Sequence, residues 1–519
     1  MNILDRTISA ISPSWALKRQ MLRRAMLSSA YKGASQSRLR NNWTVFGSDE
    51  STPADTELAL LRDRSREANR NDPIASGATE TLKINIVGQG LKPQSRLRPE
   101  VLGISPEQAR EIQKQIESIW QSWMPYADSA NRMDFAEMQL LAITKIIEDG
   151  EVLALPVWAN EPWRPLSRSI EMIEAHRLGT PTDRFNDVQA GIRLGRRGQP
   201  LTYYIRRSTD GKQNILDLKF TPISAFDSSG RPKVLHVFPT KRPGQLRGVP
   251  WFAPVLTYFK DLADYLEAEI VAARVAACLA VFVTKQDPMT SAIAMGADSE
   301  TDSGARIQSI EPGLVSYLNT GEGINVVDPK RPGDSFPSYV ETMLRLIGVS
   351  LGLPYELILK DFSKTNYSSA RASLLEARRM FTNWRGWFAR RFCQPVFDLV
   401  IEEAYLRGML DAPDFYNFKT EYCRAAWIGG GWGWVDPVKE VQSSQMAIDA
   451  GLTTLAEEAA GQGRDWEEVL EQRAREQLKI KELGIQSAAE SDKKESAEDE
   501  QEEDKDQPEP EEDENEDTE

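Results

Sequence analysis

Histidine and cysteine are scarce, with two and three residues in a chain of 519. The histidines, His176 and His236, have no neighbour at metal-ligand spacing. The cysteines, Cys278, Cys393 and Cys423, lie too far apart for a zinc pattern or a disulfide framework. Such usage suits a reducing compartment. No G-x-x-x-x-G-K-[ST] phosphate loop, H-E-x-x-H zinc helix or G-x-S-x-G nucleophile elbow occurs. The GGGWGW stretch lacks the G-x-G-x-x-G spacing of a dinucleotide fingerprint. Long apolar runs are missing as well. The longest, VAACLAVFV from Val275 to Val283, is too short to cross a bilayer, with Arg274 and Glu269 on its N-terminal side. No membrane partner, cofactor, metal or catalytic residue is therefore expected, and a structural or binding role is favoured over an enzyme.

The chain does have the makings of a core. It is 40% hydrophobic, with 13 Trp, 13 Tyr and 17 Phe, which places it among globular proteins with room for two to four domains. Its net charge of −15 is concentrated in one place. From Glu490 to Glu519 there are 18 acids and three lysines, so this tail alone carries −15, and the other 489 residues hold 60 charges of each sign. A segment without core-forming residues reads as a disordered polyanion: a solubility tail, a repeller of packed nucleic acid or a lure for a basic partner. From Arg6 to Ser48 the sign reverses, with eight Lys or Arg and no acid. There WALKRQMLRRAML, Trp15 to Leu27, has the pattern of a basic amphipathic helix on a flexible arm.

Periodicity predicts helices over Asp55–Leu82, Pro106–Trp123 and Asp134–Glu148. From Gly150 the texture changes to short strand-like runs, EVLALPVW, RSIEMIEA, AGIRLG, LTYYIRR and VLHVFP, separated by turn residues. That is an α+β body without a repeating βαβ pattern. Pro250 to Val283 then reads as a helix of about seven turns. Asp261, Asp264 and Glu267 recur at spacings of three along it, a solvated face or an acidic stripe with a purpose. Residues 285–335 are rich in Gly, Pro, Ser and Asp and read as an inserted β or loop module. A helix at Tyr339–Gly348 follows, and a last helical region covers Pro437–Leu483, interrupted at Gly451 and Gly461–Gly463.

Between these helices lies FSKTNYSSARAS, starting at Phe362. Ser363, Thr365, Asn366, Ser368 and Ser369 crowd the start of a long arginine-rich helix, and Lys364 is the one charge among them. A solvated helix cap explains the polar residues. It leaves the lysine unexplained, since the nearest acid in sequence is Asp361.

Several segments together resemble the portal proteins of tailed bacteriophages, of the lambda-like type. They are GEVLALPVW, IEMIEAHRLGTP, AGIRLGRRGQPLTYY, HVFPTKRPGQLRGVPWFAPVL, GLPYELILKDFSKTNYSSARAS and GGGWGWVDPVKEVQSSQMAIDAGLTTLAEEAAGQGRDWEEV, in the family's order over roughly residues 55–485. The resemblance implies a portal-type subunit: a basic arm (1–54), a β-rich wing body (55–249), a first stem helix (250–284), a clip (285–336), a second stem helix (337–358), a tunnel loop (359–368), a long wing helix and return segment (369–435), a helical crown (436–486) and the acidic tail (487–519). It implies a homo-oligomeric ring of twelve at one capsid vertex, with double-stranded DNA passing through it in packaging and ejection. Expected partners are the terminase large subunit, a head–tail adaptor protein and the major capsid protein, and the expected location is the virion, after assembly in the host cytoplasm. Lys360, Lys364, Thr365 and Asn366 would then form the DNA-channel loop, and Asp261, Asp264 and Glu267 would line the stem. The tail lies beyond the matching part, so its role is not implied. Two other readings stand beside this one: an acidic-tailed chaperone associated with nucleic acid, and a metal-dependent nuclease.

Overall fold

The computed structural model describes residues 55–184, 187–206, 219–277, 281–285, 322–326, 336–433 and 436–483. The basic arm, the acidic tail, Cys278 and most of the inserted module lie outside the described residues. The first helical stretch is two helices, α1 (Asp55–Asn71) and α2 (Pro73–Ile86), where one was expected. The break is local chemistry. Asp72 takes an extended conformation and accepts from the N–H groups of Ile74 and Ala75 at 2.8 and 2.9 Å. Pro73 has no N–H to leave unpaired at the first helical position. Strand β1 (Lys92–Ser95) follows, then α3 (Pro106–Trp123) and α4 (Phe135–Asp149). Both helices open on a reciprocal capping box, Ser105 with Gln108 and Asp134 with Glu137; the start of α3 holds to the residue, and Asp134, read as the first residue of α4, is its N-cap.

Seven strands form two sheets. In the first the order is β3 (Arg168–Ile173), β2 (Val152–Trp158), β8 (Leu235–Val237). In the second it is β4 (Val188–Gln189), β5 (Ile192–Leu194), β6 (Pro200–Arg206), β7 (Phe220–Ser224), and all pairs are antiparallel. Strand β2 is buried on both faces over Val152–Leu155, which explains the apolar run there, and emerges at its end, where Trp158 is exposed. Val152 and Ala154 belong to the main core with the helices, whereas Leu153 and Leu155 belong to a second core with Ile173, Ile192, Tyr203 and Ile205.

After β8 comes α5 (Leu256–Ala277), then β9 (Val281–Lys285) paired antiparallel with β10 (Glu322–Val326). The helix expected to run to Val283 therefore gives way to a strand before that point. The run VFVT is β-branched and aromatic, and suits a ladder better than a helix. Then come α6 (Phe336–Leu351), the short α7 (Tyr355–Leu359) and α8 (Tyr367–Phe388). A π-helical turn at Ala389–Cys393 carries α8 into α9 (Gln394–Leu406). Strand β11 (Ala425–Ile428) pairs with β1, and α10 (Pro437–Asp449), α11 (Leu455–Gly461) and α12 (Trp466–Leu483) end the described chain. Around Trp120, the rings of Trp123, Phe135, Phe397 and Trp427 lie 4.8 to 5.9 Å away by centroid, joining α3, α4, α9 and β11 in one core.

One buried carboxylate ties these parts together. Glu151, at the start of β2, accepts from Arg62 Nη2 of α1 at 2.7 Å, from Arg247 Nε at 2.7 Å and from the Gly248 N–H at 2.6 Å. His236 Nε2 on β8 lies 3.0 Å away. Burial alone would push this carboxyl up; the Arg247 and Arg62 guanidiniums and His236 override it and hold it well below the usual range. Next to it, Arg66 grips Asp149 with two bonds of 2.7 and 2.8 Å. Backbone crowding fixes the residues on either side. A side chain on Gly150 (φ +87°) would sit 2.3 Å from the Val249 carbonyl carbon, and one on Gly248 would meet the Gly150 carbonyl.

Glu151→Gln is expected to lower stability by about 3–5 kcal/mol, because it leaves two buried guanidiniums facing a neutral amide. The wild-type carboxyl is depressed on folding, so its contribution is present above its unfolded value of 4.5 and is lost as pH falls through the lower folded value. Urea midpoints measured from pH 7 down to pH 3 should show a larger acid-side loss in the wild type than in the variant, which keeps the share of the other depressed carboxyls such as Glu402 and Glu421.

Candidate functional site

The lysine loop hangs between packed helices. Helix α6 buries Met343, Leu344, Ile347 and Leu351 in the main core and leaves Leu346 and Val349 exposed. It stops at Gly352, and Pro354 caps α7. Lys360 ends α7 in the left-handed region, φ +56°, an unusual conformation for a residue with a Cβ. The chain then folds on itself by local bonds. The Asp361 carboxylate accepts from the Ser363 N–H at 2.9 Å, and the Phe362 carbonyl accepts from Thr365 Oγ1 at 3.0 Å. Asn366 caps α8, its Oδ1 accepting from the Ser369 N–H at 2.8 Å. Lys360, Phe362, Ser363, Lys364 and Asn366 are all exposed, and Thr365 is half-buried. The loop is shaped by its own turns and caps, with no core beneath its tip.

Lys364 is not alone. Its Nζ lies 3.5 Å from Glu341 Oε2 on α6, a residue 23 positions earlier. The other oxygen, Oε1, accepts from Arg345 Nη2 at 2.7 Å, one helical turn along α6. Arg345 in turn sits over the ring of Tyr355 in α7, 5.2 Å from its centroid. The Arg345 hydrogen bond, and then the charge of Lys364, hold the Glu341 carboxyl below its ordinary value. The expectation of a solitary lysine, with Asp361 as its closest acid, is thus corrected. Sequence reasoning missed Glu341 and Arg345, although their i, i+4 spacing on one helix was visible.

The acidic stripe is where its periodicity put it. Asp261, Asp264 and Glu267 are exposed on α5, while Phe259 and Leu262 face the core. Asp264 pairs with Lys260 at 2.7 Å, one turn before it. Helices α5 and α6 touch through Tyr265, whose ring is 4.8 Å from Tyr339 and 5.7 Å from Phe336. Lys364 therefore reaches the second of two neighbouring helices and the stripe lies on the first. Among the described residues, no ion pair joins loop and stripe, and no group of His, Cys, Asp and Glu could hold a metal ion. No described helix is long and apolar enough to cross a membrane.

Residues 36–385 match the family described as phage portal protein, lambda family. The portal protein of Escherichia phage N15 is 27% identical over 466 residues, covering 83% of this chain and 88% of that protein. Portal protein B of Escherichia phage lambda is 26% identical over 453 residues, covering 82% and 85%. The probable portal protein of Halomonas phage phiHAP-1 is 25% identical over 475 residues, covering 88% of each. Among solved structures, the neck of a native gene transfer agent particle computed with C12 symmetry aligns at a TM-score of 0.42 and 14% identity, covering 83% of this chain and 99% of that one.

The loop's geometry separates cap from charge. Asn366→Ala removes the bond to Ser369 and is expected to lower stability by about 1 kcal/mol, with faster amide exchange in the first turn of α8. Lys364→Ala breaks only an exposed pair and should leave the unfolding midpoint unchanged. Chemical denaturation of the two variants side by side checks this.

Proposed function

The chain belongs to the lambda family of phage portal proteins, and from that premise we propose how its residues serve a portal. A portal is a structural component of the virion, the channel at one capsid vertex by which DNA enters and leaves. Here, twelve copies would close into the ring. Helices α5 and α6 would be the stem, and the insert between them the clip that docks the terminase large subunit and the head–tail adaptor. Residues 55–249 would form the wing facing the major capsid protein, residues 359–368 the tunnel loop, and α10 to α12 the crown. The pairing of β9 with β10 supports the clip reading, since it brings the two ends of the insert together between the stem helices.

The observation that carries the channel assignment is the loop itself. Seven residues from Lys360 to Asn366 are held by local bonds, stand clear of the core and present a cation at the tip. One lysine per copy becomes a circle of like charges in a closed ring. Sliding duplex must be centred without being gripped, because each phosphate firmly neutralised adds binding free energy that motion must overcome. Contacts to phosphate alone also leave sequence unread, as packaging of any genome requires. The exposed carboxylates Asp261, Asp264 and Glu267 would repel phosphate along the stem wall.

Particles carrying Lys364→Ala should assemble normal rings, seen as closed annuli in negative stain, yet package or retain less DNA. Lys360→Ala is the companion variant, because Lys360 is the other exposed cation of the loop and takes the role if the loop is shifted by one turn. Normal packaging, retention and ejection in both variants would reduce the loop to a helix cap. A variant lacking Glu490–Glu519 should still form rings, since that segment has no apolar residue large enough to bury at an interface. A monomer in every preparation would favour the chaperone reading instead.

A further inference from the structure

Glu341 sets an anionic oxygen, Oε2, against the Nζ of Lys364. Its carboxylate is not free to wander, since Arg345 holds Oε1 at 2.7 Å and is itself seated on Tyr355, leaving Oε2 turned to the lysine at 3.5 Å. Arg345 and Lys364 bring two positive charges to the group and Glu341 one negative, with Glu356 near Arg345 and Asp361 near Lys364. The Lys364 side chain remains 66% exposed, so the pair is open to exchange from the solvent side. We propose that Glu341 is a positioning residue that competes with DNA phosphate for Lys364, so that the loop lysine exchanges between carboxylate and backbone and never holds one phosphate for long. This rests on the reading of the loop as channel-facing.

The physical basis is the symmetry of the exchange. An exposed ammonium that already has an anionic partner gains little by taking another, because one charge-assisted contact replaces one of similar strength. An ammonium without a partner gains the whole contact and releases a counterion from DNA. The contact is an exposed one, with Lys364 Nζ 3.5 Å from Glu341 Oε2, so its net strength is small and water can compete for both partners. Glu341 thereby sets how hard the ring pulls on DNA, while Lys364 determines where it pulls.

The test is equilibrium binding of a short duplex to purified full-length rings across a NaCl series. The forms compared are wild type, Glu341→Gln, Lys364→Ala, the double variant, and Glu356→Gln as an acid lost without touching a lysine. Glu341→Gln should bind about two- to five-fold more tightly for each lysine engaged, the size of an exposed ion pair. Its slope of log K on log[salt] should steepen by up to about 0.9 per lysine. The gain should vanish in the double variant, which should match Lys364→Ala, and Glu356→Gln should bind like wild type. A gain that survives without Lys364, an equal gain in Glu356→Gln, or no gain from Glu341→Gln would overturn the proposal. If Lys364→Ala alone leaves binding and slope unchanged, the channel reading of the loop fails first, and this inference with it. Circular dichroism and ring images of each variant keep misfolding from being mistaken for either result.

Discussion

Four stretches of chain are fixed to one another through a single carboxylate. Glu151 receives Arg62 from α1, His236 from β8, and Arg247 and Gly248 from the segment that leads into α5. Arg247 then spends its remaining N–H groups on the carbonyls of Ala175, Leu178 and Ala190, which border the second sheet. A buried ion in isolation is unstable by several kcal/mol, so the fold must deliver its partners together or not form at all. That requirement orders the molecule. The angle at which α5 departs is set beside the same hub, because Val249 and Pro250 press on Gly150 with no space for a side chain. The paired helices follow from that departure, and the lysine loop is held as well by the core residues of α6 and by Arg385 of α8, which donates to the Asn85 and Ile86 carbonyls of α2.

Much of this was readable where the signals are local. Ser105 and Gln108 at α3, and Asp134 and Glu137 at α4, are capping pairs within four residues of each other, and the helices begin within one residue of where they are read. The break read at Gly451 falls between α10 and α11, and the one at Gly461–Gly463 begins on the last residue of α11 and leads to α12. Even the first error was local. Asn71-Asp72-Pro73 has the composition of a cap, but the apolar period runs smoothly over it, and the period was followed instead of the cap.

What stayed hidden is nonlocal. KPQS has no strand character, and β1 exists because Ala425–Ile428 supplies its ladder from more than 300 residues away. GEVLALPVW and PGQLRGVPWF were visible as family-like segments, yet nothing in either said that Glu151 of one binds Arg247 of the other. The partner of Lys364 was invisible for the same reason. Distance along the chain made Asp361 look closest, whereas the turn through Gly352 and Pro354 brings the loop back over α6 to Glu341.

The two glutamate centres use the same chemistry to opposite ends. Around Glu151 water is excluded, the effective dielectric is low and removing any member exposes the rest to an uncompensated charge, so the arrangement is all or nothing. Around Glu341 water is present, each contact is worth little, and partners can be traded. On the proposed reading of the loop as channel-facing, the wall needs the second kind, since a charge that could not be exchanged would either hold DNA or be unavailable to it. The proposed exchange at the loop would in turn need the first kind behind it, to keep the helices beneath the loop in place. In this chain one path links the two regimes, beside the direct packing of α6 in the main core: the hub fixes the start of α5, α5 packs on α6 through Tyr265, and α6 presents Glu341 to the loop. Small charges at the tip can therefore be tuned by single substitutions without reopening the fold, and the same substitution at the hub cannot.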